Sequence, residues 1–417
     1  MSSTNNANEI DQGKLRTLLT SVLNKAASKE GHTLLSYDSA IAKIFESEPP
    51  QEKYFQAKDI DDFSKFLEEG NLYIDKENSY IKLKKYQEYK ETFESVVNSR
   101  IRGSLSNQIN WMVIIDERYG DLETRLELAY KLLILETSRI SLLLGKDQVN
   151  KLLLILFASI KEIKDKSVLV LTQTGKAKAR LENSFKDKKI KADCLTVAQF
   201  LKLSGAFDEN TLSIKDPSSG SKSKAETIII YESSRLSEVE LASLFKLIDP
   251  HAKRIILSGD PNLPPPIRAG RPFLDMIDYF EIACPDKVVT LANEIESGIE
   301  RDDYALAQMF TNSGKCNNKF ISRIHKGQTD NHLKFIKYWG KNKLREIFFE
   351  ELTTITNMLS SDDIDGFNKS LGAEKRNNST YYSSANHLNE WQILTLGKHG
   401  DFGNDSINKL IHKKYRQ

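Results

Sequence analysis

Apolar residues recur at helical spacing in residues 14–27 (KLRTLLTSVLNKAA), which predicts an amphipathic helix. SYDSAIAKIFE (36–46) and DIDDFSKFLEEG (59–70) predict two further short helices with polar starts. NLYIDKENSYIKL (71–83) alternates around a polar turn, the pattern of a β-hairpin. KKYQEYKETFESVVNSRI (84–101) predicts a helix leading away from it. From Trp111 the rhythm changes, and short apolar runs alternate with helical stretches. They are RISLLL, QVNKLLLILFASI, SVLVLTQ, AKARLENSF, ETIIIYES, SEVELASLFKLI and KRIILSGD, in that order between residues 139 and 260. That order predicts a parallel α/β sheet, with ligands expected at the carboxyl ends of its strands. DENTLSIKDPSSGSKSKAE (208–226) is polar and reads as a loop or small insertion. After Leu291 the pattern is helical to about Ser360, and the stretch that follows, to Glu390, reads as a loop-rich connector. WQILTLGKHGDFGNDSINKLIHKKYRQ (391–417) reads as a closing strand-and-helix unit.

Four segments follow: a disordered leader over 1–13, an N-terminal helical domain over 14–105, an α/β domain over 106–290, and a helical segment with a further partial α/β domain over 291–417. Three helices and a hairpin in the N-terminal domain resemble a winged helix. A small helical domain with no role in DNA binding fits the same pattern equally well. Hydrophobic residues make up 39% of the 417, enough for packed cores, and no apolar run reaches the length of a membrane span. The polar start MSSTNNANEIDQG has no apolar signal core. The cysteines, Cys194, Cys284 and Cys316, have no close spacing, which argues against a disulfide framework and against a zinc site. A cytoplasmic protein is expected. The net charge of +2 predicts no partner by itself, but residues 161–191 are dense in lysine. The basic tail KLIHKKYRQ reads as a solvated surface. His251, His325, His399 and His412 are scattered, none with an evident catalytic partner in the sequence, and no metal-site spacing exists.

Taken in order, the α/β segments resemble the first motor domain of superfamily 1 DNA helicases, in the RecD-like branch. The residues that carry the resemblance are VLVLTQTGKAKARLE (168–182), CLTVAQFL (194–201), TIIIYESSRLSEVELASLF (227–245) and RIILSGDPNLPPPIRAGRPFLDMI (254–277). RDDYALAQMF (301–310) and WQILTLGKHGDFGNDSIN (391–408) extend it into the second motor domain, so that it covers roughly 110–417. It implies a P-loop NTPase (RecA-like) parallel sheet preceded by a mostly helical N-terminal domain and followed by a partial second RecA-like domain.

The family's chemistry needs a glycine-rich loop whose N–H groups wrap phosphates, a lysine, and a hydroxyl for magnesium. SLLLGKDQVNKLLLILF (141–157) keeps Gly145 and Lys151 at that spacing, but Asn150 replaces the second glycine and Leu152 the hydroxyl residue. Asn150 brings a β-carbon where close backbone approach is needed. For Lys151, weak phosphate contact and a plain helix-surface lysine both remain open. After the strand the family has Asp-Glu; here stand Tyr231 and Glu232, and a neutral phenol is a poor ligand for a hard cation. Leu263, after Gly259-Asp260-Pro261-Asn262, takes the place of the glutamine that senses the γ-phosphate. An expected arginine is replaced around Ile295 and Glu296, and the last two family motifs would lie beyond Gln417. The nucleotide side is therefore expected to be vestigial: Gly145, Lys151, Gly259 and Asp260 as remnants of cofactor binding, Glu232 as a remnant of catalysis, with no cofactor and no metal.

The DNA side keeps its chemistry. In the resembling helicases the segment matching TQTGKAKAR and the threonine matching Thr196 touch the backbone of single-stranded DNA. Carried over, this implies DNA contacts by Thr172, Thr174, Gly175, Lys176, Lys178 and Thr196, with Arg180 adding charge. Phe200 and Tyr231 offer aromatic faces, with burial in the core as the plainer reading of Phe200. Three functions remain open. One is a catalytically inactive, helicase-like DNA-binding or scaffolding subunit of a repair or genome-defence complex, bound to single-stranded DNA and a protein partner, with no membrane. Another is an ATP- and magnesium-dependent DNA helicase completed by a partner chain. The third is an interaction scaffold with neither ATP nor DNA.

Overall fold

The computed structural model describes residues 11–47, 55–115, 120–159, 167–208, 213–215, 223–248, 252–290, 301–310, 317–330, 332–376, 379–382 and 391–416. The chain divides into two compact units, Met1–Ile299 with Phe310–Gly314, and Glu300–Met309 with Lys315–Gln417. No helix among the described residues is long and apolar enough to cross a membrane.

The first unit opens with α1 (Gln12–Lys25), started by the Asp11 carboxylate accepting from the Lys14 N–H at 3.0 Å. Its apolar stripe, Leu15, Leu19, Val22 and Leu23, is buried. A π-helical turn, Ala26–Glu30, ends at Gly31 in left-handed conformation. Then come β1 (Leu34–Ser36), α2 (Tyr37–Ser47), α3 (Ala57–Asp62), α4 (Ser64–Glu69), β2 (Leu72–Asp75), β3 (Tyr80–Leu83) and α5 (Lys84–Ile101). The strands form an antiparallel sheet in the order β1-β3-β2, and with this helix order the arrangement is similar to a winged helix, the name used for it below. β1, at three residues, is too short to show a period, and the helix expected over 59–70 breaks in two at Phe63.

The α/β part comprises α6 (Trp111–Ile114), α7 (Leu122–Thr137), β4 (Ile140–Leu144), α8 (Asp147–Ser159), β5 (Val168–Thr172), α9 (Gly175–Asp187), β6 (Asp193–Thr196) and α10 (Val197–Leu203). There follow the two-residue strands β7 (Phe207–Asp208) and β8 (Ser213–Ile214), β9 (Thr227–Tyr231), α11 (Glu238–Leu247), β10 (Arg254–Gly259), α12 (Pro272–Ala283) and β11 (Val288–Thr290). Six strands pair in the order β11-β4-β10-β9-β5-β6, every pair parallel. β4, β5, β9 and β10 are buried at every position because helices cover both faces, which is why they read as unbroken apolar runs. Ile255 and Leu257 of β10 pack with α10, α11 and α12, while Ile256 between them packs with α7, α8 and α9.

One polar network crosses this interior. The buried Glu136 carboxylate accepts from the Gln108 N–H and the Trp111 Nε1–H, both at 2.8 Å, and its backbone oxygen accepts from the buried Arg254 guanidinium at 2.9 Å. Trp111 in turn stacks on Phe157 of α8, with centroids 6.0 Å apart. A second set of contacts docks the winged helix onto the sheet layer. The Gly270 N–H donates to Gly31 O at 3.1 Å, the Glu238 N–H donates to Ala269 O at 3.1 Å, and Ala269 is buried in the N-terminal core. Gly270 has φ +89°, and a β-carbon there would lie 2.6 Å from the Glu238 side chain, so glycine is required. Burial raises the Glu238 carboxyl to about 7, helped by Asp275 and opposed by Lys82 and the Thr33 hydroxyl.

The second unit contains α13 (Asp302–Gln308), α14 (Asn318–His325), α15 (Lys341–Ile355), α16 (Ile364–Ser370), the antiparallel hairpin β12 (Ala373–Arg376) and β13 (Ser379–Tyr382), and α17 (Asn404–Tyr415). Its small core holds Leu352, Met358, Phe367 and Tyr415, with the last two rings stacked at 4.1 Å. Two expectations change here. The segment taken as a connector contains α16 and a hairpin, and WQILTL forms no strand: Leu394 and Leu396 are exposed, with no neighbouring strand to pair with among the described residues. The sheet among the described residues of this unit is the two-stranded β12–β13 hairpin, and this run does not pair with it.

Glu136→Ala leaves the buried Trp111 Nε1–H without an acceptor, while the N–H of exposed Gln108 can turn to water, so a loss of about 1–3 kcal/mol in urea denaturation is expected. Glu238 ties stability to pH. The unfolded chain ionises near 4.5 and the folded chain near 7, so the folded state holds the extra proton between them and stability falls as pH rises through that window. Denaturation midpoints measured from pH 4 to pH 8 should show this decline, and Glu238→Gln should flatten it.

Candidate functional site

At the carboxyl end of β4 the chain leaves Gly145 and is helical from Asp147 onward. A phosphate-wrapping loop keeps this stretch open so that its N–H groups converge on the ligand. Here the Asn150 N–H already donates to Lys146 O at 3.0 Å, as an α-helical bond. Asn150 is 1% exposed, and its side-chain Nδ2 donates to Gly145 O at 2.9 Å, with Leu143 O and Gly259 O further off at 3.4 Å. The Gly145 N–H donates across to Gly259 O at 3.2 Å. Three carbonyl oxygens, from β4, its turn and β10, thus face one carboxamide. Its own Oδ1 is buried with no hydrogen-bond partner among the described residues, as are Ser258 Oγ and Ser234 Oγ. Lys151 is half-buried in the same helix. The side chain of Leu152, and Ile295 and Glu296, lie outside the described residues.

Along the strand ends Tyr231 pairs in register with Ser258 of β10 and with Thr172 of β5. Tyr231 is 3% exposed and packs in the cluster that contains Leu153, Leu154 and Phe157 of α8, so it offers no stacking face. Glu232 follows with φ 59°, ψ 38°, a left-handed conformation that costs a non-glycine residue and turns the chain into the short 3₁₀ turn Ser233–Arg235. Asp260 shapes its own loop, its Oδ1 accepting from the Asn262 N–H at 2.9 Å. Gly259 is required by packing: a β-carbon would lie 2.7 Å from the Phe273 ring and 2.9 Å from the Ser234 nitrogen.

β5 and β6 end beside each other, Thr172 paired with Thr196, and each feeds a helix. Thr174 starts α9 by accepting from the Ala177 N–H at 3.1 Å. Thr196 starts α10 in a reciprocal box with Gln199, whose Oε1 also accepts from Lys178 Nζ at 3.2 Å. These hydroxyls cap helices and keep their own O–H for donation. Thr172 must be removed from the DNA-contact set. It is 0% exposed and its hydroxyl donates to Thr174 O at 3.1 Å, so no external phosphate reaches it. Gly175, Lys176 and Arg180 are exposed, and Lys178 is half-buried beside Glu182 at 3.7 Å. Two neighbouring helix N-termini with several cations therefore face outward at one sheet edge. Phe200 is 6% exposed and belongs to the core.

Among the histidines, His399 is brought to Asp405 at 3.1 Å, a contact the sequence spacing had not suggested. It lies 81% exposed and outside any cluster. The use of Asn150 as a bridge between β4 and β10 was also not foreseen. Gly259 lies 109 residues away, and only the replacement of a glycine by an amide-bearing residue hinted at it.

Asn150→Asp swaps the donor for a carboxylate facing carbonyl oxygens, and an uncompensated buried charge costs about 3–5 kcal/mol. A destabilisation of at least about 3 kcal/mol at pH 7, reduced on acidification as the carboxyl takes up a proton, should appear in urea denaturation.

Residues 151–292, about a third of the chain, match the family model of an AAA domain. The match runs from the first turns of α8 to just past β11 and so spans most of the parallel sheet. No curated protein matches the chain. Sheet order, helix layers and this match together give the protein a P-loop NTPase-type α/β fold with a helical N-terminal region, carrying an AAA-type, helicase-like domain.

Proposed function

We propose that this protein binds single-stranded DNA without hydrolysing ATP, and that it acts as a DNA-binding or partner-organising subunit of a DNA-processing assembly, in repair or genome defence. The observation that carries this is the Asn150 carboxamide, held among the carbonyl oxygens of Gly145, Leu143 and Gly259. A triphosphate needs converging N–H donors, and magnesium needs oxygen ligands. The residues present do not fit that pair: the helix begins two residues after Gly145, a buried phenol stands at Tyr231, and Leu263 offers no polar group. Lys151 then reads as a helix lysine, and Glu232 as a turn residue.

The DNA contact is placed at the N-termini of α9 and α10. Exposed Lys176 and Arg180, Lys178, and the Thr174 and Thr196 hydroxyls suit phosphate oxygens and carry no base information. The winged helix is less suited to this role, since α3 and α4 carry Asp59, Asp61, Asp62, Glu68 and Glu69 against Lys58 and Lys65. A protein partner has support of its own. Leu122, Leu126 and Tyr130 of α7, one turn apart, are 58%, 50% and 60% exposed, a run of apolar surface that suits another protein.

Filter binding of single-stranded DNA at rising salt tests the proposal. Affinity should fall with a log–log slope of about −0.7 per phosphate contacted, and Lys176→Glu should weaken binding and reduce that slope by about 0.7. No binding at low salt would contradict it. So would DNA-stimulated ATP hydrolysis that disappears in Lys151→Ala.

A further inference from the structure

In the second unit, between α14 and α15, residues 333–339 form neither helix nor strand. The stretch LKFIKYWGKNKLR (333–345) interleaves aromatic and basic residues and contains no acidic one. Leu333 and Ile336 are half-buried and anchor the segment, while the rings face outward: Trp339 is 88% exposed, Tyr338 49% and Phe335 44%. Phe335 is held against the His325 ring, with centroids 5.2 Å apart. An almost fully exposed tryptophan forgoes the benefit of burial among the described residues.

The helix that follows adds a second, independent oddity. α15 starts at Gly340 with no side-chain cap and no acidic residue in its first turn. Lys341 and Lys343 occupy that turn instead, cations at the positive end of the helix dipole, where they are unfavourable unless an anion joins them. Lys343 pairs with Glu346 at 3.0 Å and Lys341 with Asp401, both exposed pairs, and Lys334 with half-buried Glu351 at 2.5 Å; ion pairs at the surface are weak enough for a phosphate to displace. Lys337 has no ion-pair partner among the described residues and is exposed.

We propose that residues 334–345 are a second nucleic-acid contact, in which unpaired bases stack on Trp339, Tyr338 and Phe335 while phosphates meet Lys334, Lys337, Lys341 and Lys343. Flat aromatic faces alternating with cations fit the alternation of base and phosphate in a single strand. The proposal rests on the DNA-binding reading for the class of ligand only, since its residues are different ones. It also predicts a preference for unpaired strands, because a duplex hides its base faces.

The test uses the full chain, a fluorescein-labelled oligothymidylate, and intrinsic tryptophan fluorescence. The oligonucleotide should quench tryptophan emission. Trp339→Ala, an exposed change that leaves the core untouched, should abolish the quenching and weaken affinity about tenfold. Lys337→Glu should weaken affinity and its salt dependence, and an unlabelled duplex should compete poorly. In Lys176→Glu the quenching at saturation should persist. If Trp339→Ala binds as the parent does with quenching unchanged, or if duplex competes equally, this contact is overturned while DNA binding through α9 stands. If the parent protein does not bind the oligonucleotide at all, both proposals fall.

Discussion

The junction of β4, α8 and β10 rests on the carboxamide of Asn150. Its Nδ2 meets the Gly145 carbonyl at 2.9 Å and lies within 3.4 Å of two more strand-end carbonyls. A side chain in this position cross-links two central strands to the helix between them, in the place where a nucleotide-binding protein of the same fold keeps an open ring of N–H donors. The consequence runs both ways. The turn after β4 is short and needs no ligand to hold it, and groups that would otherwise point at phosphate are turned inward. The neighbouring substitutions agree with that arrangement. Tyr231 fills its strand end with a ring packed against α8, and Asp260 serves the turn of its own loop.

The rest of the first unit is arranged around the same sheet. Glu136 and Arg254 fix the segment that carries Trp111 against α8, and Glu238 with Gly270 fixes the winged helix to the loop that follows β10. Interior polar groups therefore serve to hold layers together, and the polar chemistry that faces outward is concentrated elsewhere. On the sheet edge it is found at the starts of α9 and α10. In the second unit it is the aromatic and basic run that ends at α15. This division, with interior polarity used for structure and cations gathered on the surface, agrees with the proposal of a fold that binds DNA without turning over ATP.

The parallel sheet was legible because strands covered on both faces must be apolar throughout, and RISLLL, VLVLT and TIIIY have no other reading beside the helices that alternate with them. The three N-terminal helices and the β2–β3 hairpin were legible for the same kind of reason, whereas β1 was not, since three residues carry no period. Sequence also gave no warning that Thr172 is buried. Its neighbour Thr174 carries the same hydroxyl but lies past the end of β5, as the cap of α9, and is only half-buried. WQILTL has the composition of a strand, yet it does not join the β12–β13 hairpin and forms no strand. Phe335, Tyr338 and Trp339 fall in a stretch whose pattern reads as helical, and their exposure depends on tertiary packing that no local pattern encodes. Asn150 was marked as a departure from a glycine pattern, but its role depends on a carbonyl 109 residues further on, which no local pattern encodes.

Calorimetric titration of the full chain with magnesium and a non-hydrolysable ATP analogue bears most directly on the junction at Asn150. The expected result is no saturable heat at millimolar nucleotide. A stoichiometric binding isotherm that is lost in Lys151→Ala would contradict the role assigned to Asn150 and, with it, the proposal that this protein does not use ATP.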